Sequence, residues 1–259
     1  MLYINVAEKA AREAGEVLKA NLGKVREITF KGKNSLVTEI DKLSEDIIID
    51  SIKRTFPSHD VFAEESGRLS TSSEYVWIID PLDGTTNYAH GYPFFSISIA
   101  LEIEGSVKAG LVYDPIKDEM FSAELGQGAF MNGEPISVTG SSRLEESHLV
   151  TGFVYDDARM VEENLRHFSE FIWRARAVRR DGSAALDLCY VACGRFDGFW
   201  ELGLNPWDTA AGALIVEEAG GRVTDFTGDE YSIYVREILA SNSGIHSEMM
   251  DVLSKNRPK

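Results

Sequence analysis

Two carboxylates three residues apart, Asp80 and Asp83, sit in the segment Asp80-Pro81-Leu82-Asp83-Gly84-Thr85-Thr86-Asn87. The apolar run Tyr75-Val76-Trp77-Ile78-Ile79 feeds into it, so a buried strand delivers both acids into a turn. Gly84 allows close backbone approach to a ligand, and two hydroxyls follow it directly. Carboxylates bind hard cations, while free amides and hydroxyls bind phosphate oxygens. Both donor sets in one turn point to chemistry on a phosphate assisted by Mg²⁺.

Three other acidic segments stand at strand ends or helix starts: Asp41, Glu64-Glu65 and Asp208. These are the places where α/β architectures put ligand sites. Each also has a plain reading. Asp41 suits a helix N-cap, Asp208 the positive end of a helix dipole, and Glu64-Glu65 a solvated turn.

The elements that position these residues follow from the hydrophobic pattern. Ile4 to Leu18 reads as an amphipathic helix with Val6, Ala10, Ala14, Val17 and Leu18 on one side. Leu36-Val37-Thr38 reads as a strand, Asp41 to Phe56 as a helix, and Val61-Phe62-Ala63 as a strand running into Glu64. Phe94 to Val138 is mostly antiparallel sheet, with Asn132-Gly133 as a hairpin turn. The pattern restarts after Gly140-Ser141-Ser142. Leu149 to Phe153 and Phe196 to Trp200 read as strands, the second ending at Glu201. Met160 to Trp173 and the stretch holding Cys189 and Cys193 read as helices. Pro206-Trp207-Asp208 opens another helix, and Gly220-Gly221 closes it. A boundary near residue 140 is expected to separate two halves, 1–140 and 141–259, of one compact unit.

The 259-residue chain is long enough to bury a full core. Its 44% hydrophobic and 26% charged composition is that of a soluble globular protein. A formal net charge of −16 argues against a nucleic-acid-binding or acidic-membrane surface. No apolar run approaches the ~20 residues of a membrane span, and no secretory signal is present, so a cytoplasmic location is expected. Cys189 and Cys193 read as reduced, buried thiols, without disulfide or zinc.

The chain resembles the inositol monophosphatase family of Mg²⁺-dependent, lithium-sensitive phosphatases. The resemblance rests on Ala63-Glu64-Glu65-Ser66, on Asp80 to Pro93, and on Asn205-Pro206-Trp207-Asp208-Thr209-Ala210-Ala211-Gly212 through Gly221. Leu36-Val37-Thr38 with Asp41, and Gly182-Ser183-Ala184-Ala185, add two blocks. It implies a layered αβαβα sandwich of the sugar-phosphatase type and two or three Mg²⁺ per site. By resemblance, Glu64, Asp80 and the Leu82 carbonyl hold a first ion and Asp80, Asp83 and Asp208 a second, with Glu65 helping to place a third. Gly84, Thr85 and Thr86 would meet the phosphate, and Thr85 with Asp41 would orient the attacking water. A water positioned by Asp208 would protonate the leaving alkoxide. The alcohol would lie against Asp83, Gly182, Ser183, Ala184 and Glu201, with Glu201 accepting hydroxyls. His90 is expected to pack, and Lys31 and Lys33 to lie in an exposed loop.

The family reading implies release of phosphate from myo-inositol 1-phosphate, in a homodimer. Fructose bisphosphate, 3′-phosphoadenosine nucleotides and histidinol phosphate are alternative substrates within the superfamily. A regulatory association with the transcription machinery is the alternative from another class.

Overall fold

The structure is a computed structural model that describes residues 2–24, 28–31, 35–69, 72–155 and 157–254, with only the backbone described for 28–31 and 35–38. Lys33 and the side chain of Lys31 therefore lie outside the description. The chain begins with α1 (Leu2–Asn21), the antiparallel pair β1 (Ile28–Lys31) and β2 (Ser35–Thr38), and α2 (Glu39–Thr55). β3 (Asp60–Ala63), β4 (Gly67–Arg68), β5 (Tyr75–Asp83) and the short α3 (Thr85–Ala89) follow. A meander then runs through β6 (Ser96–Ile103), β7 (Ser106–Asp114), β8 (Glu119–Glu124), β9 (Ala129–Met131) and β10 (Glu134–Pro135). The remainder is β11 (His148–Thr151), α4 (Ala158–Arg174), β12 (Ala177–Arg179), α5 (Ala184–Ala192), β13 (Gly198–Leu202), α6 (Pro206–Glu218), β14 (Arg222–Thr224), β15 (Glu237–Ser241) and α7 (His246–Ser254).

Two large sheets form. The first has strand order β10-β9-β8-β7-β6-β5-β3-β4, and the second β12-β11-β13-β15-β14. In the first, only the β3–β5 pairing is parallel. α1 and α2 cover one face of this sheet, and α5 and α6 are sandwiched between it and the second sheet. α4 and α7 close the outer face of the second sheet. The layers thus run αβαβα, as expected from the family resemblance.

Burial explains this stacking. α5 and α6 are apolar almost all round, as a helix between two sheets must be. Every residue of α5 is buried. The close fit of α6 depends on a glycine at each of two contacts: a Cβ on Gly110 of β7 would stand 2.8 Å from the Ala211 carbonyl oxygen, and one on Gly212 of α6 itself would stand 2.7 Å from Leu188 of α5.

Four local expectations are corrected. The buried stripe of α1 is Ala7, Ala10, Ala11, Ala14 and Leu18, with Val6 only partly buried. Small residues carry the seam because α1 lies close against α2 and β7; the Tyr113 ring occupies the space where Gly15 lacks a side chain. Asp41 is not an N-cap: α2 starts at Glu39, which places Asp41 inside the first turn and buried. Glu201 lies within β13, with Leu202 extending the strand beyond it. Cys189 and Cys193 are both free thiols, but only Cys189 is fully buried, Cys193 lying half-buried at the C-terminal end of α5.

Candidate active site

β5 is buried along nearly its whole length and ends in a bulge. Asp80 pairs with Ser98 and Asp83 with Ser96, so three steps on β5 face two on β6. The extra residue changes where the strand aims its side chains. Asp80 Oδ1 accepts a 2.9 Å hydrogen bond from the Leu82 amide, which braces the bulge from within. Ser44 on α2 adds a second brace by donating to the Pro81 carbonyl at 2.8 Å.

Asp83 is held by groups distant in sequence. Its Oδ2 accepts from Ser183 Oγ at 2.6 Å and from the Ala185 amide at 2.8 Å, with Ser96 Oγ at 3.5 Å. Ser183 is the N-cap of α5, so one serine both caps that helix and grips Asp83. Gly84 follows with φ of 94°, a left-handed conformation that favours glycine. A Cβ there would meet the carbonyl oxygens of Gly182 and Phe94 at 3.1 Å. On that side the close approach is between two stretches of protein backbone. Asn87 reinforces it, donating to the carbonyls of Phe94 at 2.8 Å and Asp181 at 2.9 Å.

The other acids converge on this turn. Glu64 leaves β3 beside β5, with its amide bonded to the Ile79 carbonyl. Glu65 is held through its amide by Glu45 of α2 at 2.8 Å. Glu64 and Glu65 are both half-buried rather than freely solvated. Asp208 lies in the first turn of α6, where its Oδ2 accepts from the Asn205 amide at 2.7 Å within a capping box. Glu201 is nearly buried; its carboxylate fills the place where Gly152 lacks a Cβ. Thr85 Oγ1 donates to the Leu82 carbonyl at 3.0 Å, and Asp41 lies near Tyr88. Thr86 is exposed at the same turn, and Gly182 has φ of 91° opposite it. His90 is exposed, not packed.

The electrostatics follow from crowding like charges in a buried place. Burial first, then Glu64, Asp83 and Asp208, hold Asp80 well above the usual carboxylate range. Asp208 is pushed up to about 7 by burial and by Asp83, against the pull of its bonds to Asn205 and Asp80. Burial lifts Asp83 to about 6 although Ser183 and the amides of Ala184 and Ala185 oppose it.

Among the described residues, no three His, Cys, Asp or Glu side chains are gathered into a finished metal shell. Asp80, Asp83 and Asp208 are instead tied back to backbone amides. The donor set still fits a hard divalent ion: all oxygen, mutually repelling, with Asp80 and Asp83 buried and Asp208 half-buried, and, among the described residues, with no basic side chain in the hydrogen bonds to these three acids. A divalent cation is the counter-charge such a cluster accommodates.

Several site residues give no motif signal. Glu45 and Ser44 lie on the buried face of α2, where polar residues recur with helical spacing alongside Asp41, Ile48 and Ile52. That recurrence is the available clue. Asp187 is the single charged residue of α5, and neither of its buried carboxyl oxygens has a hydrogen-bond partner. Its nearest charges include Asp181, Glu201, Asp83 and Arg180. An acid in an otherwise apolar helix is its sequence clue.

A layered α/β fold with an all-oxygen acidic cluster beside two backbone turns belongs to the phosphatase class of αβαβα sandwiches. The profile of the inositol monophosphatase family matches residues 2–257, and the chain belongs to that family. It is 44% identical to an inositol-1-monophosphatase of Synechocystis over 97% of this chain and 88% of the relative. It is 39% identical to the Nus factor SuhB of Pseudomonas aeruginosa, over 98% of this chain and 97% of that one. Among solved structures, inositol monophosphatase from an Anabaena (Nostoc) species superposes with a TM-score of 0.90 at 44% identity, covering 99% of this chain and 97% of the other.

Proposed function

We propose that the chain is a Mg²⁺-dependent phosphomonoesterase that hydrolyses myo-inositol 1-phosphate and related polyol monophosphates. The observation that carries this is the convergence of the buried Asp80 and Asp83 with the half-buried Asp208 beside Glu64, with the glycine turns at 84 and 182 facing each other. Glu64, Asp80 and the Leu82 carbonyl would hold one ion, Asp80, Asp83 and Asp208 another, and Glu65 would help place a third. Bound Mg²⁺ neutralises the carboxylates and the phosphate and supplies Lewis acidity to water and ester oxygen.

The chain's own groups do the rest. Gly84 and Thr85 amides with the Thr86 hydroxyl bind phosphate oxygens, a role suited to exposed donors at a turn. Thr85 and Asp41 orient the water that attacks phosphorus, and no phosphoenzyme forms. Asp208 positions the proton donor for the leaving alkoxide. Ser183 fixes Asp83, and Gly182 and Ala184 shape the wall beside the alcohol. Glu201 accepts ring hydroxyls, which a carboxylate can do twice over.

The test is phosphate release from inositol 1-phosphate, fructose 1,6-bisphosphate, 3′-phosphoadenosine 5′-phosphate and histidinol phosphate, with Mg²⁺ and with a chelator. Fastest turnover on the first, abolished by chelation and restored by Mg²⁺, is expected. Undiminished turnover in chelator refutes the scheme.

The relatives named Nus factor favour a second reading, in which the protein also associates with the transcription machinery. Its charge of −16 disfavours direct contact with RNA, so the partner would be protein. Asp83→Asn separates the two roles: a cellular effect retained in full by that variant does not depend on phosphatase turnover.

A further inference from the structure

Asp80 and Asp208 reach the site from different layers, one on β5 and one on α6. Once both are ionised, as cation binding requires, the bond between the two carboxyls is lost, and two carboxylates that repel each other do not fix their own separation. The middle of α6 is wedged by Gly110 and Gly212, but those contacts lie beyond the first turn that carries Asp208.

That first turn has a tether on each side of Asp208. Ser98 is the ladder partner of Asp80, so the two side chains share a face of the sheet. Its hydroxyl donates at 3.0 Å to the carbonyl of Trp207, the residue before Asp208. On the other side Tyr231 donates at 2.9 Å to Thr209 Oγ1, the residue after Asp208. Thr209 in turn donates at 3.3 Å to the carbonyl of Asn205, whose amide holds Asp208 Oδ2. Ser98 is buried, and a lone buried hydroxyl costs stability unless it is bonded. Here its bond runs from the strand opposite one acid to the helix turn carrying the other.

We infer that Ser98 and Tyr231 are positioning residues that set where Asp208 stands relative to Asp80, and thereby the affinity of the pair for a divalent cation. This rests on the metal-dependent reading proposed above. Neither side chain is a ligand. Ser98 fixes the distance between the two layers, and Tyr231 stops the first turn of α6 from rotating away.

The test uses the full chain with Ser98→Ala, Tyr231→Phe and the double variant. Binding of Mn²⁺ is followed by the electron paramagnetic resonance of the free ion, and Mg²⁺ by calorimetry, without substrate. Each single variant is expected to weaken ion binding about 3- to 10-fold, the equivalent of one hydrogen bond, and the double variant more. Phosphate release at saturating Mg²⁺ should fall far less than release at limiting Mg²⁺. Tyr113→Phe is the control, since it deletes a 2.9 Å bond to Asp118 away from the site and should leave ion binding unchanged. If Ser98→Ala does not fold, Tyr231→Phe decides. A wild-type protein that binds no divalent ion overturns the metal reading itself. Wild-type binding that both variants retain unchanged, even with a lowered melting temperature, overturns the positioning role alone.

Discussion

Ser183 donates a 2.6 Å hydrogen bond to Asp83 across 100 residues of chain. The same hydroxyl accepts from the Leu186 amide as the N-cap of α5. Helix start and candidate ligand are therefore held by one oxygen, so the fold of α5 and the aim of Asp83 cannot vary independently.

Ser183→Ala is expected to cost about 1–2 kcal/mol of stability through the lost cap. It should also lower turnover about 10-fold, because a charge-assisted bond to Asp83 disappears. Thermal unfolding and phosphate release on the same sample check this. A stability loss with unchanged turnover would show that Asp83 does not need the serine.

Gly152→Ala places a methyl group where the Glu201 carboxylate now sits. Glu201 must move, so the variant should lose discrimination among alcohols, as Glu201→Gln is also expected to do if this carboxylate accepts the ring hydroxyls. The two changes should not add when combined, because both remove the same group from the same place. Ratios of kcat/KM for inositol 1-phosphate over glycerol 2-phosphate report it, and additive losses in the double variant would count against the assignment.

Asp187 gives a pH-dependent prediction. Burial first, then Asp181, Glu201 and Asp83, hold its carboxyl well above the usual range. The folded chain keeps a proton there that the unfolded chain has released, so stability from this group declines as pH rises above about 4. Asp187→Asn removes that penalty. Its melting temperature should exceed wild type by more at about pH 8 than at about pH 5. Equal shifts at both values would remove Asp187 as the cause.

His246 acts in the opposite sense. It bonds Ser241 through Nδ1 at 2.8 Å and Thr224 through Nε2 at 3.0 Å, pinning the start of α7 to β14 and β15. Burial, with a smaller push from Arg222, lowers it to about 4. The unfolded chain takes up the proton first, so stability is lost as pH falls from about 6.5 toward 4. His246→Gln should flatten urea-measured stability across that window. A slope identical to wild type would mean that another group governs acid unfolding.

Local chemistry is what the sequence displays best. Tyr75 to Asn87 reads as a strand entering a turn because an apolar run, a proline and a glycine follow in order, although the strand holds on through Asp83 and a short helix begins at Thr85. Asn132-Gly133 announces its hairpin in the same way, and both residues take positive φ. Contacts between layers are less legible. Sequence reasoning explains Gly84 by a ligand, whereas the backbone of Gly182 occupies the space beside it. Glu45, Ser98 and Tyr231 act through partners at least 20 residues away, so their spacing carries no motif. The seam of α1 shifts toward alanines because packing distance, not hydrophobicity alone, selects the buried face.

The fit of α6 between Gly110 and Leu188 has a bearing on how this protein can diversify. A helix with no spare room on two sides tolerates little added bulk, and any change that tilts it carries Asp208 along. Glu201 is packed against Gly152, and the 181–182 turn against Gly84 and Asn87, but none of these contacts is made by α6. Variation in the alcohol accepted can therefore proceed without tilting the helix that carries Asp208, while variation that moves that helix disturbs the phosphate end. Descendants of this chain should change what they release more readily than how they release it.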